Sequence, residues 1–194
     1  MLPFNMETVV LAYQNGIFPM YYEDTDEILW FQPDPRAILP LYNFHVSHSL
    51  AKTLRRQLFE IRFDTDFQGV MLGCADREEG TWISDQFIQV YCQLHRAGLA
   101  HSVEAWQQGK LVGGTYGVAL RGAFMAESMF HRETDASKAA LAGLVARLKA
   151  RGCTLLDVQY LTPHLKSLGA IEISHEQYLI KLQSALSVNC SFSP

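Results

Sequence analysis

The chain of 194 residues has no CxxC pair and no HxxxH or HExxH spacing. Its four cysteines, Cys74, Cys92, Cys153 and Cys190, and its seven histidines are scattered, so no zinc site is expected and the thiols read as buried or incidental. No GxxxxGK[ST] or GxGxxG occurs, which removes the usual glycine-rich phosphate cradles. Ser128 lacks the flanking glycines of GxSxG, so covalent serine catalysis is disfavoured. No run approaches the ~18 apolar residues of a membrane span. Met1 to Glu7 lacks the basic and apolar regions of a secretory signal, and the expected location is the cytoplasm. A net charge of -4 argues against a nonspecific nucleic-acid coat protein. Nothing here calls for a cofactor.

What is present is an ordinary globular composition, 48% hydrophobic and 19% charged, with charge segregated locally. Residues 45–62 hold Lys52, Arg55, Arg56 and Arg62 against Glu60 alone. Residues 138–151 hold Lys138, Arg147, Lys149 and Arg151 with no acid. The short run Glu23-Asp24-Thr25-Asp26-Glu27 has the opposite sign.

The first 63 residues read as a small α/β module. Val9, Val10 and Tyr13 make a helical stripe closed by Gly16, and a loop punctuated by Pro19, Pro33, Pro35 and Pro40 follows. Ser47 or Ser49 starts a helix with Leu50, Leu54 and Leu58 on one side and the cations on the other. Phe59 to Phe63 alternates as a strand. Residues 64–194 read as a second domain. Ser84 or Asp85 opens a helix with Phe87, Ile88, Tyr91 and Leu94 on its apolar side. Strands at 101–107, 110–119 and 123–129 turn at Gln108-Gly109 and Arg121-Gly122. Gly113-Gly114 inside one of them implies a bulge or a close approach. Asp135 starts a helix ending at Gly152, Cys153 to Tyr160 is a strand, and Thr162-Pro163 opens another helix. The order is that of an α+β fold with a mainly antiparallel sheet flanked by helices.

Asp157 and Gln159 are two apart in an otherwise apolar strand and so share one face. Burying them demands hydrogen-bond partners, and two readings stay open: loop caps, or a polar pair at a cleft. Glu127 follows the apolar Ala123 to Ala126 and either receives an ammonium group or pairs with Arg121 or Arg132. Trp30, Phe31 and Trp82 border loops, where aromatics serve as core lids or stack on an unpaired base.

A series of segments occurs in order: Gly16-Ile-Phe-Pro19, Leu29-Trp30 with Pro33-Asp-Pro-Arg36, Gly80-Thr-Trp-Ile83, His101-Ser-Val-Glu104, Leu111-Val-Gly-Gly-Thr-Tyr-Gly117, Glu127-Ser-Met-Phe130, Ala136-Ser-Lys138, Asp157-Val-Gln159 and Ser167-Leu-Gly-Ala170. Together they closely resemble the leucyl/phenylalanyl-tRNA–protein transferase family over roughly residues 8–180. The resemblance implies an N-acyltransferase-like catalytic domain that moves Leu, Phe or Met from aminoacyl-tRNA to the α-amine of proteins beginning with Arg or Lys, marking them for degradation without a metal. It implies that Asp157 and Gln159 form the catalytic pair at the reacting ester and amine. Glu127, with Ser128 and Met129 beside it, falls near the aminoacyl group. Trp82 matches an aromatic at the 3′-terminal adenosine, and Phe124, Leu141, Leu144, Leu148 and Leu156 fall where the family builds its apolar side-chain pocket. Lys52, Arg55 and Arg56, with Lys138 as a helper, are the expected tRNA contacts. The acidic run is a candidate attractor for a basic acceptor, beside its plainer reading as a solvated loop. A monomer that does not enter membranes is expected.

The chain departs from the family pattern in places. Met20 stands where an aromatic is common, Ala126 where glycine is usual, Val158 where the central Cys stands, and Leu144 and Leu148 where aromatics are frequent. No counterpart of the family's glycine-rich leader is expected ahead of the first helix. Rival readings are an acyl-CoA-dependent N-acetyltransferase, a non-catalytic tRNA-binding module, and a transferase choosing acidic N-termini. The first would want a glycine-rich pyrophosphate loop, and the entry His131 to Ser137 has no glycine and two acids.

Overall fold

The computed structural model describes residues 3–22, 25–77 and 80–193. Glu23 and Asp24 of the acidic run therefore lie outside the described residues. Helix α1 (Met6–Gln14) starts at Asn5, whose side chain accepts from the Thr8 N–H at 2.9 Å. It ends before Gly16, which adopts a left-handed φ of 76°. The proline-punctuated segment is more regular than expected. Strands β1 (Phe18–Tyr22) and β2 (Glu27–Phe31) pair antiparallel as a separate two-stranded sheet. Pro19 is tolerated there because each strand of a two-stranded sheet has an unpaired edge.

Strand β3 (Arg36–Ile38) is wholly buried, and helix α2 (His48–Arg55), capped by Ser47, leads to β4 (Glu60–Phe63). Helix α2 stops short of Leu58, which is left exposed. Helix α3 (Phe67–Ala75), capped by Asp66, was not apparent in the pattern; α4 (Asp85–Arg96) begins at Ser84 as read. The meander follows as β5 (Ala100–Gln107), β6 (Lys110–Leu120) and β7 (Ala123–His131). The chain closes with α5 (Ala136–Arg151), β8 (Leu155–Gln159), α6 (Pro163–Ser167), β9 (Ile171–Ile173) and α7 (His175–Ser187).

Seven strands form one sheet in the order β4-β5-β6-β7-β8-β3-β9. Among the described residues only β7 and β8 pair in parallel; all other neighbours are antiparallel. The fold is α+β. Both β3 and β4 come from the first 63 residues, so this sheet draws on both sides of residue 63. Alternation along the strands divides the core in two. Tyr116, Val118, Met125 and Leu155 pack with α1, α3, α4 and α7, whereas Phe124, Ala126 and Leu156 pack with α5. Gly113 lets α5 approach, since a Cβ there would stand 2.6 Å from that of Ala136.

Two cysteines are not free. Cys153 is bonded to Cys190 with a Cα–Cα separation of 5.9 Å, while Cys74 and Cys92 remain thiols. The reading of four unpaired thiols is corrected. The segment after α7 folds back onto the end of α5, where the Ser191 carbonyl accepts from Arg151 Nε at 2.9 Å, and no local spacing announces that return. Among the described residues no helix is long and apolar enough to cross a membrane.

Candidate active site

The parallel pairing of β7 with β8 runs from Ala123–Leu155 to Met125–Asp157 and goes no further. Beyond it the strands part, and a cleft of about 270 Å³ opens between Ala126 to Met129 on one and Val158 to Tyr160 on the other. Trp82, Met20 and Arg77 border it from elsewhere in the chain. The cleft thus sits where the sheet gives up its ladder, and residues of both strands line it.

Glu127 lies in this cleft, 8% exposed. Its Oε1 accepts from the Tyr13 hydroxyl at 2.5 Å and from Gln159 Nε2 at 2.9 Å, and Oε2 accepts from the Tyr91 hydroxyl at 3.3 Å. The two phenols are 2.7 Å apart, so Tyr91's one proton is shared between Tyr13 and Glu127. All these donors are neutral. Burial dominates and pushes the Glu127 carboxyl up to about 8, with Tyr13 and Tyr91 opposing it and the Asp157 charge adding to it. Burial and the nearby carboxylate also raise the Tyr13 and Tyr91 phenols, which keeps both as donors.

Asp157 is different. Its side chain is fully buried, and it is absent from the cleft lining. Arg36, also fully buried, grips it with both arms: Nε to Oδ1 at 2.9 Å and Nη2 to Oδ2 at 2.5 Å. The Tyr178 hydroxyl donates to Oδ2 at 2.9 Å, and the backbone N–H of Gln159 donates to Oδ1 at 2.9 Å. Burial opposes the Arg36 charge, but Asp157 outweighs it and holds the guanidinium above its ordinary pKa. The rings of Phe18 and Tyr178 cover that guanidinium at 4.7 and 4.5 Å. The consequence reaches the cleft through the backbone. Gln159 sits at φ 64°, a left-handed conformation uncommon for a residue with a Cβ, and the Asp157 carboxylate accepts its N–H there. That turn aims the Gln159 amide at Glu127.

The other expected site residues divide. Trp82, Ser128 and Met129 line the cleft with Glu127 and Gln159. Ser128 Oγ accepts from Arg77 at 2.7 Å. Phe124, Leu141, Leu144, Leu148 and Leu156 do not line it; they are buried together in the core under α5. Apolar wall is supplied instead by Met129, Val158 and Leu165. Lys52, Arg55 and Arg56 are exposed on and just beyond α2, and Lys138 lines a groove adjoining the cleft. Sequence reasoning missed Arg36, Tyr13, Tyr91, Tyr178 and Arg77 as functional. A signal for Arg36 existed, since a buried aspartate in an apolar strand needs a cation and Arg36 opens the apolar run Ala37-Ile38-Leu39. Away from the cleft, Asp64, His95 and His101 bring potential ligand atoms within 4.8 Å of one another. Those atoms serve a brace: His101 Nδ1 meets Asp64 at 2.8 Å, and His95 Nδ1 meets the Ala100 carbonyl at 2.8 Å.

Residues 38–183 match the family model described as Leucyl/phenylalanyl-tRNA protein transferase, and residues 4–34 match that of its N-terminal domain. The chain is 54% identical over 187 residues to a leucyl/phenylalanyl-tRNA–protein transferase of Herpetosiphon aurantiacus, covering 96% of each. It is 50% identical over 197 residues to one of Paramagnetospirillum magneticum, covering 99% of this chain and 94% of that one. Among solved structures it is loosely similar to a GCN5-related N-acetyltransferase-like protein of Streptococcus suis, at 14% identity and a TM-score of 0.42, over 87% of this chain and 64% of that chain.

Proposed function

The chain belongs to the leucyl/phenylalanyl-tRNA protein transferase family and is an aminoacyltransferase, and we propose that it moves Leu, Phe or Met from aminoacyl-tRNA to the α-amine of proteins beginning with Arg or Lys. In this account it acts as a monomer in the cytoplasm and marks its acceptors for degradation. The reaction exchanges an ester for an amide. The acceptor nitrogen bonds to the carbonyl carbon, the bond from that carbon to the terminal ribose oxygen breaks, the ribose hydroxyl leaves with its electron pair and a proton, and the amine loses a proton.

An aminoacyl ester is already activated, so catalysis here is mainly positioning plus the handling of one proton. The observation that carries the reading is the 2.9 Å bond between Gln159 and Glu127 at the mouth of the parted strands. Glu127 receives the ammonium of the donor's amino acid. Its buried carboxyl has phenol and amide donors beside it, and a bound ammonium supplies the counter-charge that favours the carboxylate. Gln159 then lies between that anchor and the attacking amine, where its amide orients the amine and steadies the developing oxyanion. Asp157 is a positioning residue, because its oxygens are engaged by Arg36, Tyr178 and the Gln159 N–H. The donor's side chain lies against Met129, Val158 and Leu165, with Trp82 beside the terminal adenosine. Walls of this kind discriminate weakly among Leu, Met and Phe, because one methylene is worth only ~1–3 kcal/mol. The face of Lys52, Arg55 and Arg56 takes the phosphates of the tRNA acceptor stem.

The test is to offer Leu-, Phe- and Met-tRNA with peptides beginning Arg, Lys, Asp or Glu, and to score the products. Aminoacylated Arg and Lys peptides are expected. Products confined to Asp and Glu peptides would refute the acceptor assignment.

A further inference from the structure

The brace of Asp64, His95 and His101 joins three segments: the turn after β4, the last turn of α4 and the start of β5. His101 is its centre. Its Nδ1 stands 2.8 Å from Asp64 Oδ2, and its Nε2 stands 3.2 Å from the Gly98 carbonyl. A carbonyl only accepts, so it holds a proton on Nε2. The nitrogen facing Asp64 is then either protonated as well or free to ligate. His95 Nδ1 lies 3.8 Å from the carboxylate's other oxygen, Oδ1. Two imidazoles thus flank one carboxylate, and the three ligand atoms all lie within 4.8 Å of one another.

These side chains are held from behind. Phe192 stacks on His101 and Phe67 on His95, each with ring centroids 4.4 Å apart. The Ser102 N–H donates to Asp64 Oδ1 at 2.9 Å. Outer contacts of this kind, a ring N–H on a carbonyl above all, are what orient metal-binding imidazoles. The cluster is also reachable. Asp64 and His95 are partly exposed and line a pocket of about 230 Å³ in which Asp66 adds a second negative charge and Arg96 opposes it. Cys92 lines the same pocket, but burial pushes its thiol up against the pull of Arg96, so it stays protonated and is a poor ligand.

We propose that Asp64, His95 and His101 form a structural site for a divalent transition-metal ion of the zinc kind, separate from the transfer cleft. This inference does not rest on the proposed function. Two imidazoles and a carboxylate suit zinc and are too poor in oxygen for calcium or magnesium. Ligand atoms of a four-coordinate zinc stand about 3.4 Å apart, and the separations of 2.8 and 3.8 Å lie on either side of that. The ion takes the place of the proton between His101 Nδ1 and Asp64, and His95 gives up its bond to the Ala100 carbonyl. Water from the pocket fills the fourth position. Hydrogen-bonded brace and metal site are therefore two states of one cluster, and the ion would pin the β4–α3 turn to α4 and β5.

The test takes the full chain, stripped with a chelator and dialysed, and titrates it with ZnCl2 by calorimetry and with CoCl2 by visible absorption. One equivalent of zinc is expected, and zinc at about 100 times Kd should raise Tm by about 5–10 °C. Cobalt should give the bands of a four-coordinate site without thiolate charge-transfer absorption. His95→Gln and Asp64→Asn should each weaken zinc binding at least about 100-fold, since even the outer partners of a ligand are worth about 10–100-fold. Cys92→Ser should leave binding unchanged. No binding by the unaltered chain, binding that survives both ligand changes, or binding abolished by Cys92→Ser would overturn the site. Should both ligand variants fail to fold, the cobalt spectrum of the unaltered chain decides, and six-coordinate bands or thiolate absorption would overturn the site.

Discussion

Asp157 and Glu127 stand on neighbouring strands, one inside the last paired step of β7 and β8 and the other just beyond it, and their surroundings are opposite. Asp157 has a full cation with two arms, a phenol and a backbone N–H, and no access to the cleft. Glu127 has phenols and an amide, and it faces the cleft. A carboxylate saturated by a buried arginine is a fixed strut. One surrounded only by neutral donors is raised in pKa and gains by binding a cation. On the proposed function these surroundings divide the work: Asp157 holds Gln159, and Glu127 meets the substrate.

The contrast breaks most visibly when the strut is removed. Asp157→Ala leaves Arg36 buried and unpaired, and should cost about 3–5 kcal/mol in a urea denaturation. A loss under about 1 kcal/mol would mean the pair is not the strut described. Next comes Gln159→Asn, which tolerates the left-handed backbone but withdraws the amide by one methylene. It should lower single-turnover transfer about 10²-fold with little change in Tm. Smaller again is the difference between the two phenols. Both changes lose the 2.7 Å bond between the phenols; Tyr13→Phe also loses the 2.5 Å bond to Glu127 and should cost about 1.5 kcal/mol, whereas Tyr91→Phe also loses only the 3.3 Å contact and should cost about 1 kcal/mol. Equal costs would show that the two donors share the carboxylate evenly.

The subtlest test is a pH slope. The folded state raises Glu127 from near 4.5 to about 8, so it retains a proton that the unfolded chain releases. The stability gained from that proton is full below the unfolded value and is lost as pH rises through the folded one. Relative to Glu127→Gln, the unaltered protein should therefore lose Tm steadily from about pH 5 to about pH 9. A constant difference across that range would contradict the assigned environment.

Much of this site was readable in one dimension. The β5–β7 meander, its turns at Gln108 and Arg121, and the caps Ser84 and Thr162 follow local rules of period and turn chemistry. The polar residues Glu127, Asp157 and Gln159 stood out because each interrupts an apolar strand. Their partners did not, because they come from far away: Arg36 is 121 residues from Asp157, and Tyr13 is 114 from Glu127. Tyr13 and Tyr91 sit on apolar helix stripes, where a tyrosine reads as packing and its hydroxyl goes unnoticed. Strands β3 and β9 are three residues each, too short to show a period, and they enter the sheet only through tertiary pairing. The leucines of α5, which the resemblance places in a side-chain pocket, lie with Phe124 and Leu156 in the core and off the cleft lining. The pattern showed Leu141, Leu144 and Leu148 as one apolar helix face, and a helix period carries no information on whether that face opens to a ligand.

The central claim, that Asp157 acts through Gln159, is tested most directly by a double-mutant cycle in single-turnover transfer from Phe-tRNA to an Arg-peptide. Asp157→Asn, Gln159→Asn and the double variant would be compared under conditions where all three are folded. The account predicts strong non-additivity: once Gln159 is changed, Asp157→Asn costs little more. A further loss as large as the one Asp157→Asn causes alone would contradict it, and would give Asp157 a role in the chemistry independent of Gln159.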